Sequence, residues 1–251
     1  MRFLLCVCLL AACAAAALTM PNSSAQAASK PIVVAIVDTG VTARPALAAR
    51  LLPGWDFVDG DANAADLNGH GTELASIVEA QCPRCQVLPV RVLGQGGLGS
   101  VPTVIQGIQW AVAHGADVVN LSLTTPSDNP DLTAAIEWAV GQGVTTVLAA
   151  GNRGVSAAYP GMTAPDAIAV GSVDAQGNPF SWSNFGPWVD VVAPGTLSAL
   201  SMQGRRVSAV GTSASAAYVA GAAGLLLGCD RTLAPAAVSS RLVTNLSAPT
   251  C

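Results

Sequence analysis

The chain has 251 residues, of which 51% are hydrophobic and 10% charged, and its formal net charge is −4. An average globular chain is about 25% charged, so the composition excludes a highly charged disordered tail and supplies ample apolar material for one sizeable core. Lys and Arg nowhere form a run of three, which removes the electrostatic footprint of a nucleic-acid binder, and no nucleic-acid partner is expected.

Residues 1–27 read as a secretory signal peptide outside the fold. Met1-Arg2 is a short positive start, and residues 3–18 form an unbroken apolar run. Pro21-Asn22-Ser23-Ser24 breaks it, and Ala25-Gln26-Ala27 is a small-residue cleavage site. The run is short for a membrane-spanning helix, which needs ~20 residues. Gly, Pro and polar residues interrupt every later apolar run, so no membrane span is expected. Leu10-Ala11-Ala12-Cys13 also fits a lipobox, which makes a lipid anchor on Cys13 the alternative to simple cleavage. Both routes lead out of the cytoplasm, to a secreted, periplasmic or cell-envelope protein.

Cys82, Cys85, Cys229 and Cys251 remain after the leader, an even number that suits an oxidising compartment. Four cysteines allow three pairings. The sequence-local set is expected: Cys82–Cys85 tightening a surface turn, and Cys229–Cys251 pinning the chain end. The C-x-x-C spacing of the first pair also occurs in redox motifs. No second close pair and no spare His support zinc, and no metal ligand is assigned.

Along residues 28–251, continuous apolar runs rich in β-branched residues occur at 31–37, 87–92, 118–123, 144–150 and 167–173. Such runs suit strands buried on both faces of a parallel sheet. Between them lie helical patterns at 71–80, at 101–114 with Gly115 as its stop, and at 132–142 stopped by Gly143. Residues 177–207 have the texture of turns and short strands. Residues 212–227 form a long Ala/Gly-rich helix that must be deeply buried, and 235–246 a final surface helix. This alternation argues for an α/β fold with a mostly parallel central sheet and helices on both faces, in a single domain.

The residues able to carry chemistry are few. His114 closes a helix before Gly115 and reads as a cap residue. His70 lies in Asn68-Gly69-His70-Gly71-Thr72, where the flanking glycines permit close approach to the imidazole. Asp38 ends the first strand in Asp38-Thr39-Gly40, where open parallel sheets place their ligand sites, although Asp-Thr-Gly is also a turn sequence. Ser213 enters the buried helix in Gly211-Thr212-Ser213-Ala214-Ser215. It is either an N-cap or a nucleophile beside amides that face a developing oxyanion. Asn152, in Ala150-Gly151-Asn152, is either a left-handed turn residue or a donor to the same oxyanion.

These four motifs, in this order and on matching elements, resemble those of the subtilisin-like serine proteases, the subtilases or peptidase family S8, over residues 32–227. The resemblance implies a serine endopeptidase with Asp38 as orienting carboxylate, His70 as general base and then acid, Ser213 as nucleophile and Asn152 as oxyanion donor. It further implies that Ser122, Leu123 and Thr124 form one wall of the S1 pocket and Ala150 and Gly151 the other, around a peptide or protein substrate. A monomer without cofactor is expected. Several positions depart from the family pattern. Glu73 stands where a His is usual, Thr124 replaces a Gly and narrows the pocket, and Ala214-Ser215-Ala216-Ala217 replaces the usual Met-Ala-x-Pro. The family's calcium loops are not recognisable. Asp56, Asp59, Asp61 and Asp66 form an acidic loop read as solvated, with calcium or an acidic subsite as alternatives. No pro-domain is recognisable between the leader and the first strand. The rival functional reading is a catalytically quiet module that binds or assembles on the same fold.

Overall fold

The structure is a computed structural model that describes residues 30–125, 129–159 and 161–244. The leader, Cys13 and Cys251, and with them the expected Cys229–Cys251 pairing, lie outside the described residues. Seven parallel strands form the central sheet: β1 (Val33–Asp38), β2 (Trp55–Asp56), β3 (Gln86–Arg91), β4 (Val118–Leu121), β5 (Thr145–Ala149), β6 (Ile168–Val173) and β7 (Val191–Pro194). Their spatial order is β2-β3-β1-β4-β5-β6-β7. Two further strands, β8 (Thr196–Leu200) and β9 (Arg206–Val210), pair antiparallel as a separate ribbon.

The helices cover both faces. Side chains along a strand alternate between faces, so β1 divides its residues between two cores. Val34 and Ile36 join the core under α2 (His70–Gln81), α5 (Thr212–Cys229) and α6 (Pro235–Thr244). Val33, Ala35 and Val37 join the core under α3 (Val101–Ala113) and α4 (Pro130–Gly141). α5 is long and apolar enough to cross a membrane by composition, yet it is mostly buried in the molecule and packs on the sheet as its central helix.

The sequence patterns locate the elements but miss some ends and two short pieces. α1 (Pro45–Ala48) and β2 are too short to produce a periodic pattern. The strand expected over 118–123 ends at Leu121, so Ser122 to Thr124 run beyond it as irregular chain above the sheet. α4 begins earlier than expected because Asn129 caps it, accepting from the Leu132 N–H at 2.9 Å. α6 is not a purely surface helix, since Val238 and Leu242 are fully buried.

The Cys82–Cys85 disulfide closes the C-terminal end of α2. It closes the exposed Pro83-Arg84 turn, where the Cys85 N–H donates to the Cys82 carbonyl at 3.0 Å, and both cysteines are buried in the core against α5. A Cβ on Gly224 of α5 would come within 2.7 Å of Cys85 Sγ, so glycine there lets the helix approach the bridge.

Candidate active site

The carboxyl ends of β1, β4 and β5 and the N-terminal ends of α2 and α5 meet at a cleft of about 950 Å³. The packing of β1 against α2 explains the first two motifs together. The Gly71 N–H donates to Thr39 Oγ1 at 2.9 Å. A Cβ on Gly71 would sit 2.2 Å from the Gly40 carbonyl oxygen, so only glycine lets the Asp38-Thr39-Gly40 turn close on the first turn of α2. That contact brings His70 Nδ1 to 2.8 Å from Asp38 Oδ1. The Asp38 carboxylate is fully buried, and the same oxygen also accepts the Thr39 N–H at 2.7 Å. Asp38 therefore serves both the turn and the imidazole.

Burial pulls the His70 pKa down, because it disfavours the imidazolium. The charge and hydrogen bond of Asp38 more than offset this, Glu73 and Asp66 add to the offset, and the net pKa lies above 6.5. Glu73, three residues along the same helix, is itself raised above the ordinary carboxyl value. Its partial burial dominates there, His70 opposes the shift, and Asp66 adds to it.

Ser213 is the second residue of α5, and Gly211 occupies the cap position, so its hydroxyl does not cap the helix. Ser213 Oγ donates to the Ser122 carbonyl at 3.3 Å, while Ser122 Oγ donates to the Ser213 carbonyl at 3.2 Å. Both Ser213 and His70 line the cleft, but the serine hydroxyl is turned to Ser122 and not to the imidazole. Catalytic hydrogen bonds are often long or unmade before substrate binds.

Asn152 is not a left-handed turn residue; Gly151 before it takes the positive φ of 103°. Asn152 Oδ1 accepts from the Thr212 N–H at 2.8 Å and from Thr212 Oγ1 at 2.9 Å. Two donors on the oxygen settle the orientation of the amide and leave Nδ2 without a protein partner among the described residues. Thr212 Oγ1 in turn accepts the Gly151 N–H at 2.9 Å, so one threonine ties this wall to the start of α5.

The two expected substrate walls are only partly as read from the sequence. Ser122, Leu123, Thr124, Gly151 and Asn152 line the cleft; Ala149 lines it too, while Ala150 does not. Ala150 is fully buried, and its carbonyl accepts from Asn184 Nδ2 at 2.9 Å. Ser122 is also buried and directs its hydroxyl toward α5, with Asn120 Nδ2 donating to it at 3.0 Å.

Thr212, Asn120, Asn184 and Asp66 are supporting residues that sequence reasoning missed. Only Asp66 left a signal there, as an acid just ahead of the Asn-Gly-His segment. Asp66 Oδ1 accepts the Asn68 and Gly69 N–H groups, and Oδ2 accepts the Thr72 N–H and hydroxyl. It thus does the N-terminal capping that the glycine at the cap position cannot do. Asp56 likewise accepts the Val58 and Asp59 N–H groups and pairs with the buried Arg91. Two carboxylates of the acidic loop are therefore occupied by protein donors and are not solvated. Among the described residues no cluster of three or more His, Cys, Asp or Glu side chains is placed to hold a metal ion. His114 lies apart from the cleft at the end of α3, stacked on Trp110 with ring centroids 3.7 Å apart.

A parallel α/β sheet presenting Asp, His and Ser in that chain order is the arrangement of one class of serine hydrolase. The family model described as the Subtilase family matches residues 29–250. Thermitase of Thermoactinomyces vulgaris is 41% identical over 206 residues, covering 77% of this chain and 74% of its own. The thermophilic serine proteinase of Bacillus sp. strain AK1 is 38% identical over 205 residues, covering 77% of this chain and 51% of its own, so this chain spans about half of that relative's length. A crystal structure of a cold-adapted subtilisin-like serine proteinase superposes with a TM-score of 0.81 at 32% identity, covering 85% of this chain and 81% of the other. The chain belongs to the subtilase family.

Proposed function

We propose that this protein is a serine endopeptidase that hydrolyses peptide bonds through an acyl-enzyme. The observation that carries the reading is the buried Asp38 carboxylate 2.8 Å from His70 Nδ1, on the cleft that Ser213 and Asn152 also line. With Nδ1–H donating to Asp38, Nε2 is the basic nitrogen. Substrate binding turns Ser213 Oγ from the Ser122 carbonyl toward Nε2. Oγ then attacks the peptide carbonyl carbon as its proton passes to Nε2, and the carbonyl π electrons move to oxygen. Asn152 Nδ2 and the Ser213 N–H, at the positive end of α5, donate to that oxyanion. As the intermediate collapses the C–N bond breaks, and the leaving amine takes the proton from Nε2. Water repeats the sequence on the ester, with Nε2 as base, and releases the acid and free Ser213.

Substrate main chain would lie along residues 122–124 and the 149–152 wall, with protein or peptide as partner and a monomer as the working unit. We place the mature protein outside the cytoplasm. Support comes from the leader pattern and from the Cys82–Cys85 disulfide, which suits an oxidising compartment. No cofactor is proposed. Fluorophosphonate labelling tests the reading. The protein should label, and Ser213→Ala should abolish both labelling and peptidase activity, lowering kcat by about 10⁶-fold. Equal labelling of the variant would remove Ser213 as nucleophile. A quiet binding module would not label at all.

A further inference from the structure

Within the substrate class proposed above, the distribution of charge around the cleft singles out one side chain. Arg153 follows Asn152 directly on the 149–152 wall and lines the cleft. Among the described residues lining it, Arg153 alone carries a fixed charge, in a protein whose net charge is −4. Its N–H donates to Asn184 Oδ1 at 3.0 Å, so the backbone is pinned. Its side chain is exposed and makes no hydrogen bond or ion pair among the described residues. A guanidinium without a protein partner, one residue from the proposed oxyanion donor, is available to a substrate anion.

A second side chain on the same wall adds a donor. Tyr159 lines the cleft and lies against the wall, since a Cβ on Gly151 would come within 2.6 Å of its ring. Its hydroxyl has no partner among the described residues. Behind it Leu123, Leu132, Ile136 and Met162 pack closely and leave only about 10 Å³, too little to admit a substrate side chain. The cleft wall thus offers two donors without protein partners among the described residues, the Arg153 guanidinium and the Tyr159 phenol. A side-chain carboxylate is the group that such donors take.

We propose that Arg153 is a specificity residue that selects an acidic side chain at the substrate position whose carbonyl is attacked. The assignment rests on the serine-peptidase reading, so fluorophosphonate labelling is run alongside as a separate control. Fluorogenic peptides differing only at that position, as Glu, Gln or Lys, are compared by kcat/KM at low and high salt. An exposed charge pair is screened by solvent, so the expected preference for Glu over Gln is about tenfold at low salt and smaller at high salt. Arg153→Gln should bring the ratio close to one, and Arg153→Glu should favour Lys over Gln. Equal rates for Glu and Gln peptides in a protein that labels would overturn the assignment and leave the active-site reading intact. So would an Arg153→Gln variant that slows all three peptides equally, because that would place the guanidinium's effect on the oxyanion. Failure to label would remove the peptidase reading and the specificity with it.

Discussion

At the start of α2, Asp38 holds the His70 ring, Thr39 accepts the Gly71 N–H, and Asp66 accepts hydrogen bonds around the first turn. At its other end the polar bonds aim nothing at the cleft: Glu79 pairs with Arg44 and Arg50, Arg50 also donates to the Pro83 carbonyl, and Cys82 and Cys85 are bridged and buried against the small residues of α5. The first end is fixed by directional bonds and stays open to the cleft. The second is fixed by ion pairs, close packing and a covalent link. Hydrogen bonds orient a side chain to within tenths of an ångström, while packed apolar atoms and a bridge hold position without aiming any functional group. The helix thus has an anchored end and an aimed end.

Substitutions at the aimed end separate aim from stability. Asp38→Asn should lower kcat by about 10⁴-fold, because the amide neither stabilises the imidazolium nor holds the productive tautomer. Steady-state kinetics check this, and a loss confined to KM would contradict it. Asp66→Asn should act mainly on stability. It places an amide NH₂ among groups that are themselves donors, at a cost of roughly 1–3 kcal/mol. A chemical denaturation curve measures that cost, and an unchanged midpoint would show that Asp66 is not the helix-start acceptor the structure makes it.

The anchored end should respond in the opposite sense. In the chain-entropy model, removing the short Cys82–Cys85 loop by a Cys82→Ala, Cys85→Ala double variant costs about 2 kcal/mol. For a chain of this size that corresponds to a fall in Tm of roughly 4–8 °C. kcat should not change, because no group there touches substrate. A fall in kcat at temperatures well below the new Tm would mean that the two ends are coupled through the helix.

The smallest effect is one of pH. The folded protein favours the charged form of His70, its pKa lying above 6.5 through Asp38, Glu73 and Asp66 against the opposing pull of burial. This interaction contributes its full stability below pH 6.5, and the contribution is lost as pH rises through the higher folded value. Activity needs neutral Nε2, so it rises through that same value. The stability limb should therefore fall from pH 6.5 up to the folded value, on which the rising activity limb is centred. Glu73→Gln should move both to lower pH, by less than removal of the Asp38 charge would. A stability limb that ends away from the activity midpoint would assign the activity profile to another group.

Much of the fold is written locally. The runs at 31–37, 87–92, 118–123, 144–150 and 167–173 each become a strand, because a segment apolar on both faces can be buried only inside a two-sided sheet. The Ala/Gly-rich stretch after Ser213 becomes the central buried helix for the same reason. The candidate site was legible as four short motifs in a telling order. Its supporting bonds were not, because they join residues far apart in the chain: Thr212 to Asn152, Asn184 to Ala150, Arg91 to Asp56. Acids also look alike in sequence. Asp66 and Asp56 read as members of a solvated loop, yet the tertiary structure commits both to protein donors.

The sequence by itself therefore determined the α/β class, the alternation of strands and helices and the four motifs, since these depend on hydrophobic period and on residues close in the chain. Only the tertiary structure decided three further matters. The cysteines that bridge the 82–85 turn are buried in the core, Ser213 rests on Ser122, and Arg153 faces the cleft without a partner among the described residues. Burial, hydroxyl orientation and the pairing of charges are properties of neighbours in space, and local pattern carries no record of them.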